Sequence, residues 1–224
     1  MVVADPRRAR GTRRPEAALD AVRADDVDLA VVLEAARGCR ACDLWERATQ
    51  TVFGAGPADA RVVLVGEQPG DAEDLAGEPF VGPAGKLLDR ALDTAGLDRE
   101  RIFVTNVVKH FKWRPAPGGK RRLHERPNRA EVTACRPWVD AEILSIEPAG
   151  VGLLGATAAQ ALLTPDFSVT REHGVVEDSD LADLVVATIH PSAVLRARDG
   201  RARDDALEQL VSDLRLLAPA LRTT

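Results

Sequence analysis

Residues 61–71 read RVVLVGEQPGD. Val62, Val63, Leu64 and Val65 form an apolar, mostly β-branched run with no polar alternation, and Gly66 ends it. A strand that alternates apolar and polar residues has one wet face, whereas an unbroken apolar strand is buried on both faces, as in a parallel sheet. The same pattern returns at 101–106 (RIFVTN), 150–155 (GVGLLG) and 184–190 (LVVATIH), so four buried strands are expected. Between and after them lie stretches with helical signals: 84–95 with Gly96 as a stop, 129–146 with Pro148 beyond, 156–163 before Pro165, and 204–217. Strands alternating with helices imply an α/β fold, a three-layer α/β/α sandwich around a central four-stranded parallel sheet. Ligands of such sheets bind beyond the carboxyl ends of the strands. The loops at those ends are therefore the place to look for chemistry.

At 224 residues and 45% hydrophobic content, the chain can bury one good core. Residues 1–25 are rich in Arg, Ala, Asp and Pro without apolar periodicity and read as a disordered arm, leaving 26–224 as a single domain. Apolar residues recur at helical spacing over 27–36, and Gly38 closes that helix just before Cys39. No apolar run approaches the roughly 20 residues that cross a bilayer, and the first residues lack an apolar signal core, so a soluble, cytoplasmic protein is expected. The net charge of −5 disfavours phosphate on average, but its distribution is uneven. Between residues 109 and 129 stand Lys109, Lys112, Arg114, Lys120, Arg121, Arg122, Arg126 and Arg129 against the single acid Glu125. That is a local electropositive patch of the kind that attracts nucleic acid.

Three cysteines, Cys39, Cys42 and Cys135, cannot all pair as disulfides, and the Cys-x-x-Cys spacing makes metal ligation the better reading. After the first strand, a turn built on Gly66, Pro69 and Gly70 presents Glu67, Gln68 and Asp71 together. Neither the dinucleotide nor the Walker glycine spacing is present, which argues against a phosphate cradle. Phe80, between turn residues in a chain with five phenylalanines and no tyrosine, is a candidate platform for stacking a base.

GEQPG, EPFVGPAGKLLD, TNVVK and HPSAVLR, in this order and mostly at strand ends, resemble the family 4 uracil-DNA glycosylases and their self-cross-linking relatives, called UdgX. The resemblance covers nearly all of the chain from Val31 onward. It implies uracil-containing DNA, single- or double-stranded, as the partner, and a flipped uracil stacked on Phe80. Asn106 would read its Watson–Crick edge, because an amide offers the donor and acceptor that uracil needs and cytosine reverses. His190 would donate to uracil O2 as charge develops on the departing base. The segment after it, ending at Arg196, would press into the duplex, with Arg196 near phosphate; Arg122 of the basic loop could neutralise phosphate, and Lys109 is counted with the substrate-binding residues.

Two departures from family 4 are informative. Family 4 enzymes carry four cysteines on a 4Fe-4S cluster, the third directly after the TNVVK lysine; this chain has His110 there. The resemblance thus implies a 4Fe-4S cluster on Cys39, Cys42, His110 and Cys135, while chemistry alone equally permits a Cys3His zinc site. The segment GGKRRLH at 118–124 matches the UdgX insertion and assigns His124 as a nucleophile toward C1′ of the sugar, with Glu67 accepting its other ring proton. Gln68 and Asp71 would support the leaving uracil and the geometry of the loop. An imidazole bonded to C1′ has no easy hydrolytic exit, so a single-turnover enzyme that stays attached to its DNA is expected. A conventional multiple-turnover glycosylase using water and a non-enzymatic metal-bearing DNA-binding protein are the competing readings. A monomer is expected.

Overall fold

The computed structural model describes residues 28–119, 121–176 and 179–222; the expected arm at 1–25 and Lys120 of the basic loop lie outside them. Helix α1 (Leu29–Arg37) starts on the Asp28 side chain, which accepts the Ala30 amide at 2.7 Å, and stops at Gly38. Strand β1 (Val62–Gly66) is followed by helices α2 (Asp71–Ala76) and α3 (Pro83–Ala95), the latter closed by Gly96 in the left-handed conformation. Strand β2 (Ile102–Asn106) leads into a short antiparallel hairpin of β3 (Trp113–Pro115) and β4 (Arg122–His124). The long helix α4 (Arg129–Ile146) begins with a reciprocal cap between Asn128 and Glu131, which satisfies two amides that a helix start leaves bare. Then come β5 (Gly150–Leu154), α5 (Ala156–Leu162), β6 (Gly174–Val176), β7 (Leu184–Thr188), α6 (Pro191–Leu195), α7 (Gly200–Arg215) and α8 (Ala218–Arg222).

The central sheet runs in the order β2-β1-β5-β7-β6. The four expected strands are parallel and adjacent, and all five residues of β1, β2 and β5 are buried. The pleat divides them between two cores. Val63, Val65, Phe103 and Leu153 face one layer with Trp138 and Val139 of α4 and Ala158 of α5, whereas Val62, Leu64, Ile102 and Val104 face the other with Leu88 and Leu92 of α3 and Leu210 and Leu214 of α7. Each of these Val, Leu, Ile and Phe side chains contributes roughly 1.5–3 kcal/mol on burial, which explains why none of the four runs tolerates polar alternation. Among the described residues, no helix is long and apolar enough to cross a membrane.

Three features depart from expectation. The sheet has five strands, not four, because β6 pairs antiparallel with β7 at the edge. Its three residues are only partly covered, and so short a run has no periodicity to read. The basic loop contains the β3–β4 hairpin, and two of the loops, after β1 and after β7, contain the short helices α2 and α6. Helices this short owe their stability to caps and packing rather than to a pattern of apolar residues.

Candidate active site

A cavity of ≈ 980 Å³ opens beyond the carboxyl ends of β1, β2, β5 and β7, where the topology of the sheet places ligands. Glu67, Gln68, Asp71, Phe80, Asn106, His124, His190 and Arg196, eight of the residues singled out in the sequence, all line it. Lys109, Arg122 and the four expected metal ligands do not.

Two of the lining side chains, Asn106 and Phe80, meet over Gly66. A Cβ there would stand 2.5 Å from Asn106 Oδ1 and 2.7 Å from Phe80 Cζ, so only glycine lets the amide and the ring approach each other. Phe80 itself has φ 59°, a conformation that costs a non-glycine residue energy and is held by its surroundings. Gly85 permits it, since a Cβ at 85 would fall 1.6 Å from the Phe80 carbonyl oxygen. The Phe80 ring lies near-parallel to His190, with centroids 6.1 Å apart. Asn106 is 3% exposed, and its backbone carbonyl is anchored by Lys109 Nζ at 2.7 Å.

His190 caps α6. Its Nδ1 accepts the Ser192 amide at 3.1 Å and lies 2.7 Å from Ser192 Oγ. An Nδ1 that accepts is unprotonated, so the ring proton of the neutral imidazole sits on Nε2, free to be donated. Burial, then the positive charge of Arg196 and the neighbouring His124, push the His190 pKa down to about 4. The site thus holds a neutral donor at physiological pH, suited to a developing anion.

His124, the last residue of β4, points Nε2 at Glu67 Oε1 across 3.5 Å. Its pKa is lowered by burial and by Arg196 against the opposing pull of Glu67, which keeps the imidazole neutral and its lone pair available. The other Glu67 oxygen accepts the Thr157 hydroxyl. Gln68 is buried and spends its whole amide on the hairpin: Oε1 accepts the Lys112 amide at 3.1 Å, and Nε2 donates to the Lys112 and Glu125 carbonyls at 3.2 and 3.0 Å. Of the two roles expected for Gln68, the geometry contains that of holding the loop.

Two basic side chains are placed otherwise than expected. Arg122 is turned inward, its Nε on Asp71 Oδ1 and its Nη1 on Asp74 Oδ2, each at 2.5 Å, with the guanidinium 5.3 Å from the Phe111 ring and 5.5 Å from the Trp113 ring. Asp71 therefore serves the loop as an anion for Arg122, and the guanidinium is not free for phosphate. Lys109 is fully buried, its Nζ within 2.6 Å of Glu142 Oε2 and of Thr105 Oγ1. A buried ammonium holds its place only if every donor is matched, and here Glu142, Thr105 and Asn106 match all three. In the sequence the charge of both residues is visible and their acidic partners, 33 to 51 residues away, are not. Arg196 remains exposed at the mouth of the cavity, with Nη1 on Ser192 Oγ at 2.9 Å. Asp74, Thr157 and Glu142 carried no signal in the sequence; each acts through a partner far along the chain.

The expected metal ligands lie on α4, on the segment after α1 and on the loop after β2. Cys135 is buried and accepts the Lys109 amide at 3.2 Å, and Cys39 accepts the Trp138 indole N–H at 3.1 Å. Burial raises the Cys42 thiol and pushes the Cys135 thiol up to about 12, and the neighbouring sulfurs add to both shifts. Thiolates this enclosed require a compensating cation. His110 is buried, its Nε2 3.1 Å from Thr51 Oγ1 and its Nδ1 without any hydrogen-bond partner. A buried ring nitrogen without a partner fits a metal ligand, because burial otherwise leaves a polar atom its full desolvation cost. Among the described residues, no three His, Cys, Asp or Glu side chains come together tightly enough for a single metal ion.

Comparison with known proteins gives a match to the Uracil DNA glycosylase superfamily over residues 53–215. The chain is 38% identical over 181 residues to the type-4 uracil-DNA glycosylase of Thermotoga maritima, an alignment covering 80% of this chain and 90% of that protein. It is 40% identical over 164 residues to the type-4 enzyme of Archaeoglobus fulgidus, covering 70% and 78%, and 37% identical over 165 residues to that of Sulfurisphaera tokodaii, covering 70% and 71%.

Proposed function

This chain belongs to the Uracil DNA glycosylase superfamily, and from that premise we propose that it excises uracil from DNA and then bonds His124 to C1′ of the sugar. One observation carries the second half of the proposal: His124 and Glu67 stand side by side in the cavity that also holds Asn106, Phe80 and His190. Uracil flipped into this cavity stacks on Phe80 and presents O4 and N3–H to the Asn106 amide. The bond between C1′ and N1 breaks with its electron pair leaving on uracil, and the Nε2–H of His190 supports the anion at O2. The electron-poor C1′ then accepts the lone pair of the His124 nitrogen turned away from Glu67. The proton on the facing nitrogen, Nε2, passes to Glu67 Oε1, leaving a neutral imidazole bonded to the sugar and a neutral carboxyl group.

The conventional reading, in which water attacks C1′ and the enzyme turns over, is favoured by the names of the type-4 relatives. A uracil-containing oligonucleotide run with the protein on a denaturing gel separates the two. A shifted band that disappears in His124→Ala is the expected result, with free uracil still released by the variant. Uracil released in excess over protein, without a shifted band, would establish the conventional enzyme. Neither uracil nor adduct would leave only a DNA-binding protein.

For the metal we propose a 4Fe-4S cluster held by Cys39, Cys42, His110 and Cys135, with zinc as the alternative. Neighbouring cysteines help to raise the Cys42 and Cys135 thiols and the buried His110 Nδ1 lacks a hydrogen-bond partner, which supports this ligand set. When bound, the group would pin α1, the loop after β2 and α4 to one another. Iron and acid-labile sulfide in anaerobically purified protein are expected, and stoichiometric zinc without iron would overturn the assignment.

A further inference from the structure

We propose that Thr157, backed by Arg126, is a positioning residue that aims the Glu67 carboxylate at His124. The inference rests on the reading of His124 as the attacking group. Thr157 is the second residue of α5, is 7% exposed, and donates its hydroxyl proton to Glu67 Oε2. Arg126 Nε donates to Thr157 Oγ1 at 3.1 Å and lies 3.8 Å from Glu67 Oε2, while Arg126 Nη2 reaches Gln160 Oε1 at 3.2 Å.

The direction of these bonds follows from what each group is able to do. A guanidinium only donates, so it takes a lone pair of Thr157 and leaves the hydroxyl's single proton for Glu67. Each bond in such a chain polarises the next. One carboxylate oxygen is thereby fixed, and the other, Oε1, is left facing His124 Nε2. A glutamate without this tether has three rotors to search, and a base must be within reach of its proton at the moment of attack. Thr157 is well placed to impose the constraint, because its neighbours Ala158 and Ala159 are wholly buried against the sheet. In the reaction the N–H bond at His124 Nε2 breaks and an O–H bond forms at Glu67 Oε1, while Oε2 keeps the Thr157 hydroxyl throughout. The cavity around His124 also holds Arg126, Arg196 and His190, which are not anions, Asp71, which is paired with Arg122, and Glu73, whose oxygens accept the Gly70 and Gly82 amides; none of them replaces the Glu67 carboxylate.

The test compares the full-length wild type with Thr157→Val and Thr157→Ser in single-turnover adduct formation across pH, with melting temperatures measured in parallel. Thr157→Val keeps the side-chain shape, and its adduct rate is expected to fall about tenfold or more. The acid limb of its profile should also move to lower pH, because Glu67 raises the His124 pKa and a carboxylate that swings away ceases to do so. Thr157→Ser should restore both rate and limb. A Thr157→Val protein with unchanged rate and limb, or one slowed with the limb unmoved, would overturn the proposal. A wild type that forms no adduct would overturn the His124 reading and this inference with it, whereas adduct from the wild type and from Thr157→Val at equal rates removes the role of Thr157 alone.

Discussion

Replacing Arg122 by alanine withdraws the cation that holds the hairpin against α2. The guanidinium meets Asp71 and Asp74 at 2.5 Å each, with its side chain 19% exposed and that of Asp74 fully buried. Removing one partner of a buried pair costs about 3–5 kcal/mol, because the other charge is left without compensation. Asp74 still keeps the Thr49 amide and hydroxyl, at 2.9 and 2.6 Å, and the Asp71 side chain is 53% exposed, so the loss falls below that range. The expected net loss is therefore about 2 kcal/mol, close to a 30-fold shift in an equilibrium. It should fall on opening of the hairpin, whose strands are three residues each, rather than on the two cores, which do not contain Arg122. Hydrogen exchange reads this directly: the Ala116 and Glu125 amides, bonded across the hairpin at 2.8 and 3.0 Å, should lose about 30-fold in protection while strand amides of the sheet keep theirs. The salt dependence of DNA binding should keep its slope. Unchanged protection together with a slope reduced by about 0.7–0.9 would refute the clamp and return Arg122 to a phosphate.

Lys109→Met strands the buried Glu142 carboxylate and should destabilise the protein by about 3–5 kcal/mol in denaturant unfolding, much of it recovered by the double change with Glu142→Leu. If the single and double variants unfold alike, the pair is not coupled as described. Gly66→Ala forces a Cβ against Asn106 and Phe80 and is expected to abolish uracil excision at a stability cost of only about 1–3 kcal/mol; a folded variant with full activity would contradict the need for that close approach. Adduct formation needs neutral His124, so its rate should be level near neutrality and decline in acid as the ring gains a proton. Arg196 lowers the pKa of both His124 and His190, so Arg196→Ala should carry the decline to higher pH, and a decline that stays put or moves the other way would show that Arg196 does not face the two rings. His110→Ala should lose bound iron while a Cys at 110 retains it, as measured by iron content; equal iron in the wild type and the alanine variant would remove His110 from the ligand set.

The cavity was legible as a set because its members sit in loops that directly follow strands, and the strands announce themselves. Glu67 and Gln68 come immediately after β1, Asn106 ends β2, and His190 follows β7 by two residues. What the loops do internally was less visible. Gln68 and Asp71 stand in one turn and look alike as polar groups, yet the first grips the backbone of the hairpin on both sides and the second receives Arg122. The edge strand β6, half-covered and three residues long, lacks the run of apolar residues by which its neighbours were recognised.

By itself the sequence determined the parallel sheet, its two helical layers and the order of the loops at its carboxyl end, because burial on both faces requires unbroken apolar runs. Only the tertiary structure decided which charges are free. Lys109 is consumed by Glu142, 33 residues away, Arg122 by Asp74 and Asp71, 48 and 51 residues away, and Glu67 is tethered by Thr157 across 90 residues. Charge pairing acts through distances of a few ångströms that sequence separation does not encode, so a basic run in the chain became one buried ammonium, one clamp and a residual surface that includes Arg126, while Arg196 lines the cavity from the end of α6.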